Sequence, residues 1–172
     1  MRALVVYESS FGNTQRIART VADALAVEGE ATIVSVDEPL PPLRGFDLLV
    51  VGAPTHVHGL SSRMSRKGAL EQQGRGGEIG IGVRGWLDRL PLLGRPPVAV
   101  FDTRAHRSEL LVGSAAHGIA HRLRKRGYRL VVEPESFFVA GTPGPLEDGE
   151  LERAEKWGSM LANEVMRPAV MI

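Results

Sequence analysis

The feature that most constrains the fold is a short apolar strand followed at once by a polar loop with one glycine and then by an amphipathic helix. The strand is predicted at Arg2–Tyr7, and the loop reads Ser-Ser-Phe-Gly-Asn-Thr over residues 9–14. Apolar residues then recur on one face of Thr14–Glu28, which is the spacing of an α-helix, and Gly29 is expected to cap its end. A strand that leads directly into a covering helix is typical of a parallel sheet, because parallel strands need a crossover connection.

The rest of the chain repeats this alternation of strands and helices. Further strands are predicted at Ala31–Val36, at Asp47–Gly52, at Val98–Asp102 and, starting near Arg129 and resuming after Pro134, at Ser136–Ala140. Further helices are predicted at Ser62–Gln72, Trp86–Leu90, Ser108–Arg126 and Glu147–Met166. The third strand contains four consecutive apolar residues, as strands buried on both faces do. The pattern predicts an α/β fold, and 172 residues suit one domain over the whole chain.

Charge and composition narrow the classes of function. Residues 1–60 carry a net charge of −3, residues 61–130 carry +9 and residues 131–172 carry −5, so the overall +1 conceals a basic middle third. This segment is either an ordinary solvated surface or a surface for an acidic partner or a phosphorylated dinucleotide. Aromatic residues make up only 5%, which argues against a base-stacking nucleic-acid site. No run approaches the roughly 20 apolar residues of a membrane span, and we expect a cytoplasmic protein.

The loop after the first strand predicts a phosphate-binding site. In an open parallel sheet, ligands bind beyond the carboxyl ends of the strands, and a helix that begins there offers unpaired N–H groups and a partial positive charge. Ser9, Ser10 and Thr14 add hydroxyl donors, and Gly12 allows a close approach that a Cβ would obstruct. Helix capping alone would explain one of these hydroxyls but not three around a glycine.

These segments resemble the flavodoxin family. Residues 7–14 resemble the FMN phosphate loop of that family, residues 52–59 resemble a loop that lies along its flavin, and residues 101–104 match the position of the other flanking loop. The resemblance implies a single flavodoxin-like domain, a doubly wound five-stranded parallel sheet of order 2-1-3-4-5 with helices on both faces, and non-covalently bound FMN. The FMN-binding residues that it implies are Ser9, Ser10, Phe11, Gly12, Asn13, Thr14, Pro54, Thr55, His56, Val57, His58, Gly59, Asp102, Thr103 and Arg104.

Three departures from the family pattern bear on the chemistry. Flavodoxins usually place Thr or Ser where Phe11 stands, so here the backbone N–H has to contact the phosphate alone. The flanking loops usually supply Trp or Tyr to stack on the flavin, whereas His56, His58 and Arg104 stand here. A glycine that can turn its carbonyl toward the half-reduced flavin is replaced by Val57 or His56. A positive φ costs a β-branched residue about 1–2 kcal/mol, which on the one-electron scale is on the order of 40–80 mV less radical stabilisation and favours two-electron chemistry.

Two shorter patterns suggest other ligands, but neither predicts a site. Residues 80–85 satisfy G-x-G-x-x-G, yet a dinucleotide fingerprint needs a buried strand before it and a full helix after it, so a loop is favoured here. His56 and His58 have no third metal ligand nearby in the sequence, so no metal site is predicted.

Three functions fit this interpretation. The favoured one is an FMN-dependent oxidoreductase that takes hydride from NAD(P)H and reduces a quinone-like acceptor, with the basic segment available to a 2′-phosphate. The alternatives are an electron carrier that docks to redox partner proteins and a flavin-free binding or regulatory module. No catalytic residue is predicted, because the flavin carries the redox chemistry. The fold alone does not select among the three functions, and the sequence predicts no oligomeric state.

Overall fold

A computed structural model describes residues 1–56, 59–74, 78–91, 94–106 and 113–167. Its centre is a parallel sheet of five strands in the order β2-β1-β3-β4-β5. The strands are β1 (Arg2–Tyr7), β2 (Glu30–Ser35), β3 (Leu48–Pro54), β4 (Val98–Ala105) and β5 (Glu135–Val139). Val5 of β1 lies between Ile33 of β2 and Val50 of β3, which sets the register of the three strands. This strand order confirms the flavodoxin-like fold expected from the sequence.

Helices cover both faces of the sheet. Within the described ranges they are α1 (Asn13–Ala26), α2 (Arg63–Gln72), α3 (Gly82–Asp88), α4 (Ala115–Lys125) and α5 (Glu150–Met166). The helices α1 and α5 form one apolar core with Val5, and α3 and α4 form the other with Leu4. Because consecutive side chains of a strand point to opposite faces, the apolar run of β1 is needed to fill both cores. Among the described residues, no helix has the length and apolar character needed to cross a membrane.

An aromatic cluster packs β4 and β5 against α5. The rings of Phe101, Phe137 and Trp157 meet edge to face, with centroids 5.8, 5.9 and 6.0 Å apart. The ring of Phe101 lies over Gly52, where an added Cβ would come within 2.1 Å of the ring. Glycine is therefore required at this position of β3, two residues before the strand ends at the cavity described below.

Some element boundaries differ from the sequence prediction. The strand β4 continues to Ala105 because Thr103–Ala105 pairs with Phe137–Val139 of β5, so Thr103 and Arg104 lie on a strand and not in a loop. The helix α1 ends at Ala26 and Val27 is its C-cap, so the prediction that Gly29 caps this helix is wrong.

The predicted interruption of the fifth strand is confirmed. Leu130 forms an isolated bridge with Val98, and regular pairing resumes only at Glu135, just after Pro134. Proline has no N–H to donate to a neighbouring strand, and β5 lies at the edge of the sheet. The start of the predicted helix over residues 108–126 falls partly on residues 107–112, which lie outside the described residues; α4 begins at Ala115.

Candidate functional site

A cavity of about 230 Å³ lies at the carboxyl ends of β1, β3 and β4. Open α/β sheets bind their ligands at the carboxyl ends of the strands, beside the point where the strand order switches direction, which here lies between β1 and β3. Four connections contribute to its wall: the loop before α1, the end of β3 with the loop after it, the end of β4, and the loop after β5. The lining residues are Ser10, Phe11, Asn13, Thr14, Pro54, Thr55, His56, Thr103, Arg104, Ala105, Val139, Gly141, Thr142 and Pro143.

The first loop, residues 8–12 between β1 and α1, is organised by the side chain of Ser9. Its Oγ accepts hydrogen bonds from the N–H groups of Gly12 at 3.1 Å and Gln15 at 3.3 Å. Among the described residues, the N–H groups of Ser10, Phe11, Asn13 and Thr14 have no acceptor. All four of these residues line the cavity. The loop and the first turn of α1 thus present a cluster of N–H groups without described acceptors at a helix N-terminus, which is the arrangement that binds phosphate in other proteins.

Gly12 gives this loop its shape. It is the N-cap of α1 and has a left-handed backbone conformation with φ 87°. An added Cβ would meet no atom within 4 Å. The glycine is therefore required by its backbone angle, and the space beside it is open to a ligand. Its role at a phosphate stays a prediction.

Hydrogen bonds tie the first loop to the rest of the cavity wall. The hydroxyls of Thr14 and Thr103 lie 2.7 Å apart in the interior, and Ser10 Oγ is 3.4 Å from His56 Nε2. Asn13 Nδ2 donates to the backbone oxygen of Pro143 at 2.6 Å. The predicted site residues are therefore brought together from separate elements. The side chains of Asn13 and Thr14 serve mainly to fix the loop.

Asp102 lies behind the cavity wall rather than on it. The residue is fully buried, and its Oδ2 accepts hydrogen bonds from the hydroxyls of Thr55 at 3.0 Å and Ser114 at 2.7 Å and from the N–H of Ala116 at 3.0 Å. Thr55 Oγ1 in turn accepts from the N–H of Ala115 at 2.8 Å. This carboxylate joins β4, the residue after β3 and the N-terminus of α4, so it positions the wall.

His56 is the histidine of the cavity wall that the structure describes. It exchanges two backbone hydrogen bonds with Gly59, at 2.8 and 2.9 Å, and its ring is partly buried. Burial lowers the pKa of His56 below 6.5, and the positive charge of Arg66 lowers it further, while the carboxylate of Glu8 partly opposes both. The imidazole is therefore neutral at pH 7. Val57 and His58, which the sequence also places at the flavin, lie outside the described residues.

Arg104 is held in place by β5. Its Nε donates to Ser136 Oγ at 3.1 Å, and its guanidinium lies 5.1 Å from the ring centroid of Phe138. The ring of His106 stacks on Phe138, with centroids 4.2 Å apart and planes 12° from parallel. The guanidinium of Arg104 is therefore a fixed polar group in a wall that also contains the apolar residues Ala105 and Val139.

Sequence reasoning missed two contributions to the site. The first is the loop after β5, of which Gly141, Thr142 and Pro143 line the cavity; the turn residues Gly-Thr-Pro directly after a strand were the available signal. The second is Glu8, which is only 5% exposed and accepts from the N–H of Val83 at 2.7 Å. No local pattern marks Glu8 as buried, because its partner is 75 residues away.

The segment with the G-x-G-x-x-G pattern does not form a dinucleotide fingerprint. Residues 78–80 are not in a strand, and the helix that follows, α3, has seven residues. The prediction of a loop over the whole pattern, with a helix only at Trp86–Leu90, is wrong, because Gly82–Gly85 already belong to α3 and this helix ends at Asp88.

Comparisons with known proteins address the family. A family described as "Flavodoxin domain" matches residues 4–66, which include the first loop and the end of β3. No curated protein sequence matches the chain. Among solved structures, an archaeal flavodoxin is 20% identical with a TM-score of 0.65, covering 96% of this chain and 99% of its own. A mutant form of flavodoxin from Pseudomonas aeruginosa is 16% identical with a TM-score of 0.66 and the same two coverages.

A third structure, of a WrbA-like flavodoxin from Agrobacterium tumefaciens, is 19% identical with a TM-score of 0.61 and covers 95% of this chain and 96% of its own. At such identities the structural matches establish the fold, and the sequence match from residue 4 to residue 66 adds the family pattern at the first loop. Together they confirm that this chain resembles the flavodoxin family in its fold and in the sequence that forms the first loop of the cavity.

Proposed function

We propose that this chain binds FMN in the cavity and acts as an FMN-dependent oxidoreductase. The observation that carries the proposal is a cluster of four N–H groups that have no acceptor among the described residues: those of Ser10 and Phe11 in the first loop and of Asn13 and Thr14 in the first turn of α1. A phosphate dianion is the ligand class that such a cluster fits, because the donors and the helix dipole both favour negative charge. The open space beside Gly12 gives the phosphate room.

The residues of the remaining wall support a flavin ring as the rest of the ligand. Pro54, Thr55 and His56 approach from β3, and Thr103 and Arg104 approach from β4. A neutral imidazole and a fixed guanidinium offer hydrogen bonds and positive charge to the polar edge of an isoalloxazine. Among the described residues of the lining, Phe11 is the one Phe, Tyr or Trp, so the flanking loops would not supply the stacked Trp or Tyr that is usual beside the ring.

When bound, FMN supplies hydride and electron transfer, and the protein supplies orientation, polarity and access. The proposed donor is NAD(P)H and the proposed acceptor a quinone-like molecule. The basic middle third of the chain supports a phosphorylated donor. In the proposed reaction, His56 contributes a neutral hydrogen-bonding group at the ring, and Thr14 and Thr103 hold the two sides of the site at a fixed separation.

The first test compares FMN with riboflavin, which has the same ring and no phosphate. Purified flavin-free protein is titrated with each, following the quenching of flavin fluorescence. We expect FMN to bind at least about 100-fold more tightly, because charge-assisted hydrogen bonds contribute about 1.5–3 kcal/mol each. Equal affinities would show that the first loop does not bind phosphate, and absence of binding would leave a flavin-free module on the same fold.

The second test addresses the reaction. The FMN-loaded protein is mixed anaerobically with NADH or NADPH, and bleaching of the flavin absorbance is recorded before a quinone is added. Bleaching by the nicotinamide and recovery with the quinone support the oxidoreductase. Inertness to both nicotinamides, with retained FMN binding, would instead favour the electron carrier. The exposed basic helix α2 beside the cavity supports this second candidate.

A further inference from the structure

The helix α2 differs from the other helices in its packing. Only Ala69 of its ten residues is buried, whereas α4 buries five of eleven. Polar contacts hold it instead. Ser62 caps its first turn and exchanges hydrogen bonds with Ser65. Arg66 donates to Ser61 Oγ and to the backbone oxygen of Gly80, both at 3.0 Å. The helix is held in position while most of its surface faces solvent.

The position of α2 is beside the cavity. It begins shortly after Gly59, the hydrogen-bond partner of His56. At its other end Gln73 Nε2 donates to the backbone oxygen of Ser10 at 2.7 Å, and Ser10 lines the cavity. A helix of ten residues is about 15 Å long, so α2 reaches from the connection after β3 to the first loop.

The outward side of α2 combines positive charge with an apolar side chain. Arg63 and Lys67 are exposed, and Met64 between them is 83% exposed. Arg84 of α3 is also exposed, and its guanidinium donates to the backbone oxygen of Leu60 at 3.2 Å, which places it at the start of α2. We call Arg63, Met64, Lys67 and Arg84 the α2 patch.

The charge of the α2 patch belongs to a wider asymmetry. The helices α2, α3 and α4 carry seven Lys or Arg and two Asp or Glu, whereas α1 and α5 carry four and five. A surface with this field attracts acidic molecules and increases their rate of association. Two of the residue types in the α2 patch, methionine and arginine, are also more frequent in protein interfaces than on other surfaces.

We propose that the α2 patch is the docking site of an acidic redox protein that exchanges electrons with the flavin. The inference rests on the FMN site of the proposed function, but not on the nicotinamide or the quinone. Electrons pass between cofactors only over short distances, so a docking site has to lie beside the cofactor, as α2 does. Protein is favoured over nucleic acid because the patch offers an apolar methionine and no aromatic ring on which bases would stack.

The electron balance of the exchange is simple. With a reduced iron–sulfur protein as partner, one electron leaves the cluster, which is oxidised, and one electron is gained by the bound flavin. Two such encounters and two protons from solvent complete the reduction. Small, charge-guided and short-lived contacts are typical of such partners.

The test uses a plant-type ferredoxin as the acidic probe and cytochrome c as the basic one. Their dissociation constants with the FMN-loaded protein are measured by calorimetry at about 10 mM ionic strength and again at about 0.5 M, where charges are strongly screened. We expect ferredoxin to bind more tightly than cytochrome c at low salt and to be released at high salt. No ferredoxin binding, or equal binding of both proteins, would overturn the proposal.

Three variants locate the contact. R63E/K67E is expected to weaken ferredoxin binding by about tenfold or more. R124E/K125E makes the same change of charge at the C-terminal end of α4, away from the cavity, and is expected to change it less than about threefold. M64S, which leaves the charge unaltered, is expected to weaken it by several-fold through the lost apolar contact. Equal losses in the two charge variants would show a general field effect and reject the patch.

The design separates this proposal from the proposed function. FMN affinity is measured for every variant and is expected to be unchanged, since none of the altered side chains lines the cavity. Ferredoxin binding is also measured on the flavin-free protein, so a failure of FMN binding and a failure of docking give different results. Tighter binding of a single-stranded oligonucleotide than of ferredoxin, lost in R63E/K67E, would replace the protein partner with a nucleic acid.

Discussion

The two ends of the cavity differ in whether backbone or side-chain groups form the wall. The end at the first loop is made of backbone: Ser9 and Gly12 arrange a short stretch of chain so that several N–H groups lack partners among the residues that the structure describes. The end at β3 and β4 is made of side chains, of which His56 and Arg104 are held by neighbours from distant parts of the sequence. Backbone N–H donors are retained in most substitutions. A polar side chain in the wall is lost when it is substituted, and it can be displaced when a residue that holds it is substituted. We therefore expect substitutions at the two ends to fail in different ways.

The largest effect is expected at Gly12. Gly12→Asp places a carboxylate in the open space beside the unpaired N–H groups, where it repels a phosphate dianion. Repulsion of about 1–4 kcal/mol per charge predicts a loss of FMN affinity of about 100-fold or more, measured by fluorescence titration. Gly12→Asn is the matched control, since it has the same size and a similar tolerance of positive φ without the charge. Equal affinities of the two variants would show that no phosphate binds here.

The next effect is expected at Asp102, behind the other end of the cavity. Asp102→Ala leaves the hydroxyls of Thr55 and Ser114 and the N–H of Ala116 without their acceptor. Buried donors left unpaired predict a loss of about 2–4 kcal/mol in the free energy of unfolding, measured by urea denaturation. Asp102→Asn retains one acceptor oxygen and is expected to lose less. If Asp102→Ala is as stable as the original protein, the wall is not held by this carboxylate.

A smaller gain is expected at Phe11, where flavodoxins usually have a hydroxyl. Phe11→Thr adds a donor to the first loop and is expected to tighten FMN binding by about fivefold, or about 1 kcal/mol. Phe11→Val, which has nearly the shape of threonine without the hydroxyl, is the control for the lost ring. If the threonine variant binds no more tightly than the valine variant, the side chain at this position does not reach the phosphate.

The smallest effect is expected from the titration of His56. Its pKa is lowered in the folded protein by burial and by Arg66, against the opposing charge of Glu8. The unfolded chain therefore binds a proton at a higher pH than the folded one, and stability falls as the pH decreases below about 6.5. His56→Gln is expected to show a weaker fall over the same range, measured by thermal unfolding at about pH 7 and about pH 5. Identical pH dependence in both proteins would exclude His56 as the source.

Local patterns in the sequence predicted the sheet, most of its strands and the first loop. These features are local: an apolar run of about four to six residues marks a buried strand, and Ser9, Gly12 and the start of α1 lie within a few residues of one another. The residues that predict a phosphate site are therefore the same consecutive residues that form the first loop and the start of α1. The strand order came from resemblance to a family and not from the residues alone.

Only the tertiary structure decided how the side-chain end of the cavity is held. The hydrogen-bond partners of the buried Asp102 include Thr55, 47 residues before it, and Ser114, 12 residues after it. The partner of the buried Glu8 is Val83 of α3, 75 residues away. Thr103 and Arg104 joined a strand because β5 extends far enough to pair with them. Burial and pairing between distant segments depend on how the strands and helices assemble, and no local pattern in the sequence shows which distant residues will meet.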